Sequence, residues 1–513
     1  MTGRPFRRVL IANRGEIAVR LSRTLRDLDI ESVAVYSPED RASAHVRLAD
    51  YAFPLGGRGP QSYLQQERLL EVAREAQCDA LLPGYGFLSE NASFAQACAD
   101  ASLVFVGPSA QAIADMGDKV RARELMAKAG VPLVPGGAAD TLAQAVATAA
   151  RVGYPILLKA AGGGGGKGMR LVMAEAQLGS AYEQAKGEAL RAFGSDIIYI
   201  EKAILNPRHV EIQVLGDQHG NVVHLFDRDC SIQRRHQKVI EESPSPNLSE
   251  NTLNAMTAAA LKAARAVNYY SVGTFEFLVD QNQDFYFLEM NTRLQVEHTV
   301  TELVTGIDLV EQMLLVAQGQ RLAFSQQEIA RRGFALECRV YAEDPSVGFL
   351  PSSGRVSQLR QPEGPYVRVD GCLFEGSEVS REFDPLLAKV CTWGDTRAQA
   401  IARMKRALAE FRLTGPRTNL SFHERAIRHP NFISGRYDTG FIAAHPELCQ
   451  LEPLSEVTRG QVLAAACAAT NAHNQVRTGG NRRQGQIHSS PGDESGAQGS
   501  AWISGRNNWT RTP

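Results

Sequence analysis

No charge of either sign dominates this chain: 55 Lys+Arg stand against 56 Asp+Glu, a formal net charge of -1. That balance offers no bulk field to recruit nucleic acid or an anionic membrane. The 8 cysteines (Cys78, Cys98, Cys230, Cys338, Cys372, Cys391, Cys449, Cys467) never fall at CxxC spacing. In a chain this long, that argues against a disulfide framework or a zinc site and for buried free thiols in a reducing compartment. No run of about eighteen apolar residues occurs, so no helix is expected to span a bilayer. The opening MTGRPFRRVLIANRG has only a short apolar run, better suited to a strand than to a signal peptide. Two phosphate-binding signatures are also missing. The turn Ala12-Asn13-Arg14-Gly15-Glu16 lacks G-x-G-x-x-G, which weakens a nicotinamide reading. Around Lys167 the Walker A pattern fails, with Ala161 at its first glycine and Gly168 at its Ser/Thr.

What is present is an ordinary soluble composition, 44% hydrophobic and 22% charged, spread over 513 residues. That length points to roughly three or four domains. Strands at Arg8–Ala12, Ser32–Tyr36, Ala80–Leu82 and Leu103–Val106 alternate with helices at Glu16–Leu28, Tyr63–Ala76 and Asn91–Asp100. Such alternation implies a parallel sheet covered by helices. Pro83-Gly84-Tyr85-Gly86-Phe87 is a tight turn after a strand, either a ligand site or a plain loop.

The pattern changes at Asp118. Helices are expected at Lys119–Ala129 and Leu142–Val152, then a strand at Pro155–Ala160, the glycine run 162–166 and a strand at Met169–Met173. A glycine run between two strands reads as a flap whose bare amides close over phosphates, with a linker as the alternative. Lys159 and Lys167 would flank it. The strand at Ile197–Ile200 runs into Glu201-Lys202-Ala203-Ile204, a hinge that could meet an adenine edge or merely connect. In Arg208–Leu215, His209, Glu211 and Gln213 share one face, suited to a wet cleft or to a solvated sheet face. Arg234, Arg235, His236 and Lys238 form a short basic cluster, a solvated loop or a local anion site.

Gly273–His298 reads as a hairpin interrupted at 280–284. If the turn centres between Asn282 and Gln283, Glu276 faces Glu289, with Asn291 on the Glu289 face. Opposed carboxylates repel, and a divalent cation between them reverses the sign. Arg293, Gln295 and Glu297 follow as an alternating polar set with room for an anion and a base. The alternative is a surface hairpin facing water. Beyond it lie a helix at Ile307–Gln318, a strand at Ala335–Val340, further strands to Thr392 and a helix at Thr396–Phe411, a mixed antiparallel-rich α+β region. Gly460–Ala472 could form a short helix, and Asn474–Pro513 has the composition of a disordered tail in which Trp502 and Trp509 could anchor a partner.

From about Arg8 to Ile442 the chain resembles the biotin carboxylases, the ATP-grasp components of biotin-dependent carboxylases. The motifs are LIANRGEIAVR (10–20), PGYGFLSEN (83–91), MGDK (116–119), KAAGGGGGKGMR (159–170), NPRHVEIQV (206–214), DRDCSIQRRHQKVIEE (227–242), GTFEFL (273–278), LEMNTRLQVEH (288–298), ECR (337–339), FDPLLAKV (383–390) and RTNL (417–420). The resemblance implies a multidomain α/β and α+β fold: an N-terminal parallel-sheet (pre-ATP-grasp) domain at 1–117, an ATP-grasp domain at 118–333 with its glycine-rich lid at about 133–203, a C-terminal mixed α+β domain at 334–446 and a tail at 447–513. It assigns ATP to Lys119, Lys159, Gly163, Gly164, Gly165, Gly166, Glu201, Lys202, Ile204, His209, Gln233 and His236, together with Glu276 and Glu289. It gives Mg²⁺ (or Mn²⁺) to Glu276, Glu289 and Asn291, bicarbonate to Lys238, Arg293, Gln295, Val296 and Glu297, and biotin to Arg339. Catalysis would rest on Arg293, Glu297, Lys238 and Arg339.

Two positions depart from the family pattern, Leu82 for His and Thr299 for Pro. Arg403-Met404-Lys405-Arg406 does not fit a biotinylated Met-Lys-Met turn. The biotin is therefore expected on a separate carrier chain, with a carboxyltransferase on another and a homodimer as the family's habit. An inactive nucleotide-binding or scaffold homologue is the alternative.

Overall fold

The computed structural model describes residues 5–160, 170–193, 198–450 and 464. The glycine run and nearly all of the tail therefore lie outside the described residues. The chain divides into Met1–Leu448 and Cys449–Pro513, and among the described residues every sheet belongs to the first of these units.

Near the N-terminus, β1 (Arg8–Ile11), α1 (Gly15–Asp27), β2 (Glu31–Tyr36), β3 (Tyr51–Pro54), β4 (Ala80–Leu82) and β5 (Val104–Phe105) build a five-stranded parallel sheet of order β3-β2-β1-β4-β5. Helix α1 forms because Ile17, Ala18, Leu21 and Leu25 recur on one face, and all four are buried. Its N-terminal turn is stitched to the turn after β4, since Asn13 Nδ2 donates to the carbonyls of Pro83 and Tyr85, both at 2.7 Å. Gly84 is needed there: its φ is +66°, and a Cβ would lie 2.9 Å from Ile17 Cγ1. Leu82, the departure from the family, sits in the apolar cluster with Val9, Ile11 and Ile17, where leucine packs without needing a polar partner.

The lid is a second sheet. Strands β6 (Gly136–Ala139), β7 (Ile156–Ala160), β8 (Arg170–Val172) and β9 (Ile198–Lys202) pair antiparallel in the order β6-β9-β7-β8, backed by α2 (Leu142–Val152) and α3 (Glu175–Phe193). Ile156 pairs with Val172 and Leu158 with Arg170, so the strands flanking the glycine run form a hairpin. Helix α3 went unread in the sequence, because its Ala-, Glu- and Gly-rich run has a weak apolar stripe.

The third layer is a sheet of eight strands. It contains β10 (Arg208–Gly216), β11 (Val222–Arg234), β12 (Gln237–Ser243), β13 (Ser271–Val279) and β14 (Phe285–Asn291), with α4 (Glu250–Ala266) against β10 and β11. After α5 (His298–Thr305) it continues through β15 (Phe334–Tyr341), β16 (Val367–Gly371) and β17 (Leu386–Gly394), which precedes α6 (Arg397–Glu410). The order is β14-β13-β10-β11-β12-β15-β17-β16. The basic segment that could have been a loop is thus a hairpin, turned at Arg235 and His236 with φ of +49° and +67°.

The hairpin β13–β14 reaches the expected pairing by a different route. Val279 faces Phe285 and Phe277 faces Phe287, so the turn centres on Asn282; a register shift then sets Glu276 opposite Glu289. The polar set at Arg293–Glu297 does not continue the strand. The backbone leaves the sheet after Asn291, buries Leu294 against the apolar cluster of α1, and enters α5 at His298. Thr299 lies in the first turn of α5, where a family proline would also fit, and its hydroxyl donates to the buried Glu337 carboxylate. Among the described cysteines, Cys98, Cys230, Cys338 and Cys391 are buried free thiols, while Cys78, Cys372 and Cys449 are half-buried.

Candidate active site

A cavity of about 1130 Å³ opens where the N-terminal sheet, the lid and the large sheet meet. Lys119, Lys159, Ile204, His209, Gln233, His236, Lys238, Glu276, Glu289, Asn291, Arg293, Gln295, Val296, Glu297 and Arg339 all line it. Two expected residues stand back from it. Glu201 is buried against Lys159 and Arg123, and the Lys202 ammonium donates to the carbonyls of Gly153 (3.1 Å) and Tyr154 (2.8 Å). Gly163 to Gly166 lie outside the described residues.

The floor is a row of charges fixed by strand register. Glu289, Glu276 and Glu211 face one another across β14, β13 and β10, and Arg228 on β11 completes the row. Lys238 reaches into this row from β12, its ammonium 2.5 Å from Glu211, 2.7 Å from Glu276 and 2.7 Å from Glu297. Three N–H donors thus meet three carboxylates. Burial opposes the Lys238 charge, but these three neighbours outweigh it and hold its pKa well above the ordinary lysine range. Glu276 is also 3.1 Å from His209 Nε2 and accepts from Asn291 (2.8 Å) and Gln295 (2.9 Å). Burial alone would raise its pKa; Lys238 and His209 bring it below the usual carboxylate range.

Glu297 is held from both sides, by Lys238 on one oxygen and by Arg339 at 2.8 Å on the other. Burial would push its carboxyl up, but Lys238, Arg339 and Arg228 drive it well below the ordinary value, so it is ionised. Arg339 in turn lies 2.6 Å from Glu241. Arg293 donates to Glu90 (2.8 Å) and to the Asn291 amide oxygen (2.8 Å), tying the large sheet to the N-terminal domain.

Sequence reasoning missed Arg228, Glu90 and Glu241. Arg228 is fully buried, and its five N–H groups make five bonds: Glu211 (2.5 Å), Gln213 (2.6 Å), Thr301 (2.9 Å), Thr274 (3.1 Å) and Gln295 (2.6 Å). The one signal in the sequence was the polar face of β10, whose Glu211 and Gln213 need a donor once buried.

Among the described residues the cleft offers several groupings of cation ligands. His209, Glu211 and Glu276 offer ligand atoms within 4.8 Å of one another, but the Lys238 ammonium already compensates both carboxylates. Across the hairpin, Glu289 faces Glu276 in register. Desolvation and the facing Glu276 charge push its pKa up. Two carboxylates and the Asn291 amide oxygen, here taken by Arg293 at 2.8 Å, are an all-oxygen ligand type that would suit a hard divalent ion such as Mg²⁺.

A cleft roofed by a small antiparallel lid, with lysines on the lid side and facing carboxylates on the floor, is the site of an ATP-grasp ligase. Known proteins narrow this further. Family models match in three consecutive stretches: the biotin carboxylase N-terminal domain at 5–113, the carbamoyl-phosphate synthase L chain ATP-binding domain at 118–325 and the biotin carboxylase C-terminal domain at 337–444. Biotin carboxylase 1 of Bacillus subtilis is 49% identical over 444 residues, covering 86% of this chain and 99% of that protein. The biotin carboxylase–β-γ-ATP complex from Campylobacter jejuni superposes with a TM-score of 0.81 at 46% identity, covering 86% of this chain and 99% of that one. The biotin carboxylase domain dimer of Hydrogenobacter thermophilus 2-oxoglutarate carboxylase, solved with MgADP, ADP and bicarbonate, gives 0.82 at 42% identity, covering 88% and 100%. The chain belongs to the biotin carboxylase family, ATP-dependent ligases that form a carbon–nitrogen bond. Among the described residues no helix is long and apolar enough to cross a membrane.

Proposed function

We propose that this cleft carboxylates biotin carried on a separate chain, using bicarbonate and ATP and releasing ADP and phosphate. One observation carries the assignment of roles: Lys238 bridges Glu276 of the hairpin and Glu297 of the following turn, joining a cation site to a base. ATP would lie between the lid and the floor, against Lys119, Lys159, Glu201, Lys202, Ile204, His209, Gln233 and His236, with Gly163 to Gly166 closing over its phosphates. Glu201 would act through Lys159, and Lys202 through its backbone. Mg²⁺ (or Mn²⁺), held by Glu276, Glu289 and Asn291, would neutralise the β- and γ-phosphate charge.

Bicarbonate would be oriented by Lys238, Arg293, Gln295 and the backbone at Val296, beside the ionised Glu297. As its pKa is depressed, Glu297 is a weak base until an anion engages Lys238 and Arg293; the added negative charge then raises its basicity. Glu297 takes the bicarbonate proton while the oxygen attacks the γ-phosphorus, breaking the bond to ADP. The resulting carboxyphosphate splits into CO₂ and phosphate in a water-poor cleft. Phosphate accepts the ureido N–H proton, Arg339 stabilises the oxygen that gains charge, and the nitrogen bonds to CO₂.

We place the divisions at 1–117, 118–333 (lid about 133–203), 334–446 and 447–513. A carrier protein and a carboxyltransferase on other chains, a homodimer and a cytoplasmic setting belong to the same reading, and no observation favours the inactive alternative. The test is ADP release by the purified protein with ATP, Mg²⁺ and bicarbonate, with and without free biotin. Biotin should stimulate it, and Glu297→Ala should abolish it while nucleotide binding persists. Absence of biotin stimulation in the unmodified protein would refute the reading.

A further inference from the structure

The loop bearing Gln295, Val296 and Glu297 rests on a buried charge that the chemistry above leaves unused. Lys389, on β17, is wholly buried. Its ammonium donates to the Val296 carbonyl at 3.0 Å and lies 3.4 Å from Glu16 and 3.7 Å from Asp370. The two carboxylates come from different parts of the fold, Glu16 from the first turn of α1 and Asp370 from β16, where it sits in register with Lys389.

The charges continue beyond Asp370 in strict alternation. Arg368 grips Asp370 at 2.9 and 2.7 Å and reaches Glu302 of α5 at 2.6 Å. Glu302 takes Arg20 at 2.9 Å, and Arg20 lies one turn after Glu16 on α1. The chain of charges returns to the helix where it began, where Arg20 also meets Asp308 at 2.8 Å. It links the N-terminal helix, two strands of the C-terminal region and the helix that follows the reactive loop.

Burying a lysine costs far more than packing an apolar side chain of its size, so stability alone does not explain it. Its geometry does something an apolar residue cannot. A desolvated ammonium makes a strong, directional bond to a carbonyl, and that carbonyl sits between the two side chains that face the anion. Gln295 is held from below by Arg228, and Glu297 from the sides by Lys238 and Arg339. Lys389 fixes the backbone between them.

We propose that Lys389 is a positioning residue for bicarbonate, holding the Val296 carbonyl through a chain of alternating charges and so setting the spacing of Gln295 and Glu297. This rests on the bicarbonate reading of the cleft. A misplacement of about 1 Å at a reacting group can cost on the order of a hundredfold in rate, which makes such a tether consequential.

The test uses the full chain with ATP, Mg²⁺, bicarbonate and free biotin at pH 8. Burial pushes Glu16 up to about 7, against the pull of Lys389, so at pH 8 its carboxyl is mainly ionised. Glu16→Gln/Lys389→Met removes one charge of each sign and leaves the net charge of the cluster unchanged. The bicarbonate KM should rise tenfold or more, while the ATP KM stays within twofold and the thermal midpoint with ATP stays near that of the unmodified protein. A folded double variant with an unchanged bicarbonate KM, or with both KM values raised together, overturns the inference alone. Should the double variant not fold, Glu16→Gln decides: a rise of threefold or more in bicarbonate KM is expected, and no change overturns the inference. Bicarbonate-independent turnover by the unmodified protein overturns the reading of the cleft and the inference with it.

Discussion

Replacing Arg228 by Met should unfold the floor of the cleft more readily than any surface change. The guanidinium is fully buried and spends all five N–H groups on Glu211, Gln213, Thr301, Thr274 and Gln295. Methionine has a similar reach but no donor, so Glu211 loses one of its two 2.5 Å partners while remaining fully buried itself. Breaking a buried pair by removing one member costs about 3–5 kcal/mol. Lys238 still neutralises part of the Glu211 charge, which places the loss toward the lower end. Arg228→Lys keeps the charge but brings three donors to five acceptors, leaving at least two unpaired at about 1–3 kcal/mol each. Adding Glu211→Gln to Arg228→Met should recover about 1–3 kcal/mol, because the stranded charge is gone. Urea unfolding followed by circular dichroism, run on the two single variants, the double variant and the lysine variant, reads all of these. Arg228→Met within about 1 kcal/mol of the unmodified protein, or a double variant that is simply additive, would refute the reasoning.

Two more outcomes are expected from the same charges. Glu289→Gln removes one of two facing like charges, which is worth about 0.2–1 kcal/mol of relief in metal-free protein. It should also abolish the extra thermal stabilisation that Mg²⁺ adds to ADP, and an undiminished Mg²⁺ effect would remove Glu289 from the cation site. Glu16 titrates at about 7 when folded, against about 4.5 in the open chain. The folded state therefore binds the extra proton, and stability is lost as pH rises from about 4.5 to 7, by up to about 3 kcal/mol. Glu16→Gln should flatten that part of the stability–pH curve and be the more stable protein at pH 8; parallel curves would contradict it.

Local periodicity carried most of the fold. The alternation of short apolar runs and amphipathic helices up to Val106 is enough to give the parallel sheet, because each strand there contacts its sequence neighbours or near neighbours. The facing carboxylates were also legible: a two-residue repeat and a polar turn set Glu276 against Glu289, and the bulge compensates for a turn placed half a residue away. What the sequence hid is long-range charge pairing. Arg228 meets Thr301 across 73 positions and Arg293 meets Glu90 across 203, distances at which no pattern of neighbours signals a bond. The segment 227–242 was ambiguous because its many charges suggest solvent, whereas β11 and β12 turn Arg228, Lys238 and Glu241 into the interior. Lys389 was likewise invisible as a site residue, since its role depends on α1 and β16 arriving beside it.

The most direct measurement tracks the oxygen. If bicarbonate attacks the γ-phosphorus beside Lys238 and Glu297, one of its oxygens must end in the released phosphate. Turnover with ¹⁸O-labelled bicarbonate, unlabelled ATP and free biotin should give phosphate carrying one ¹⁸O per carboxylation. Phosphate labelled instead from ¹⁸O water, with unlabelled phosphate from labelled bicarbonate, would mean that water attacks ATP in this cleft and that bicarbonate is not activated by phosphoryl transfer.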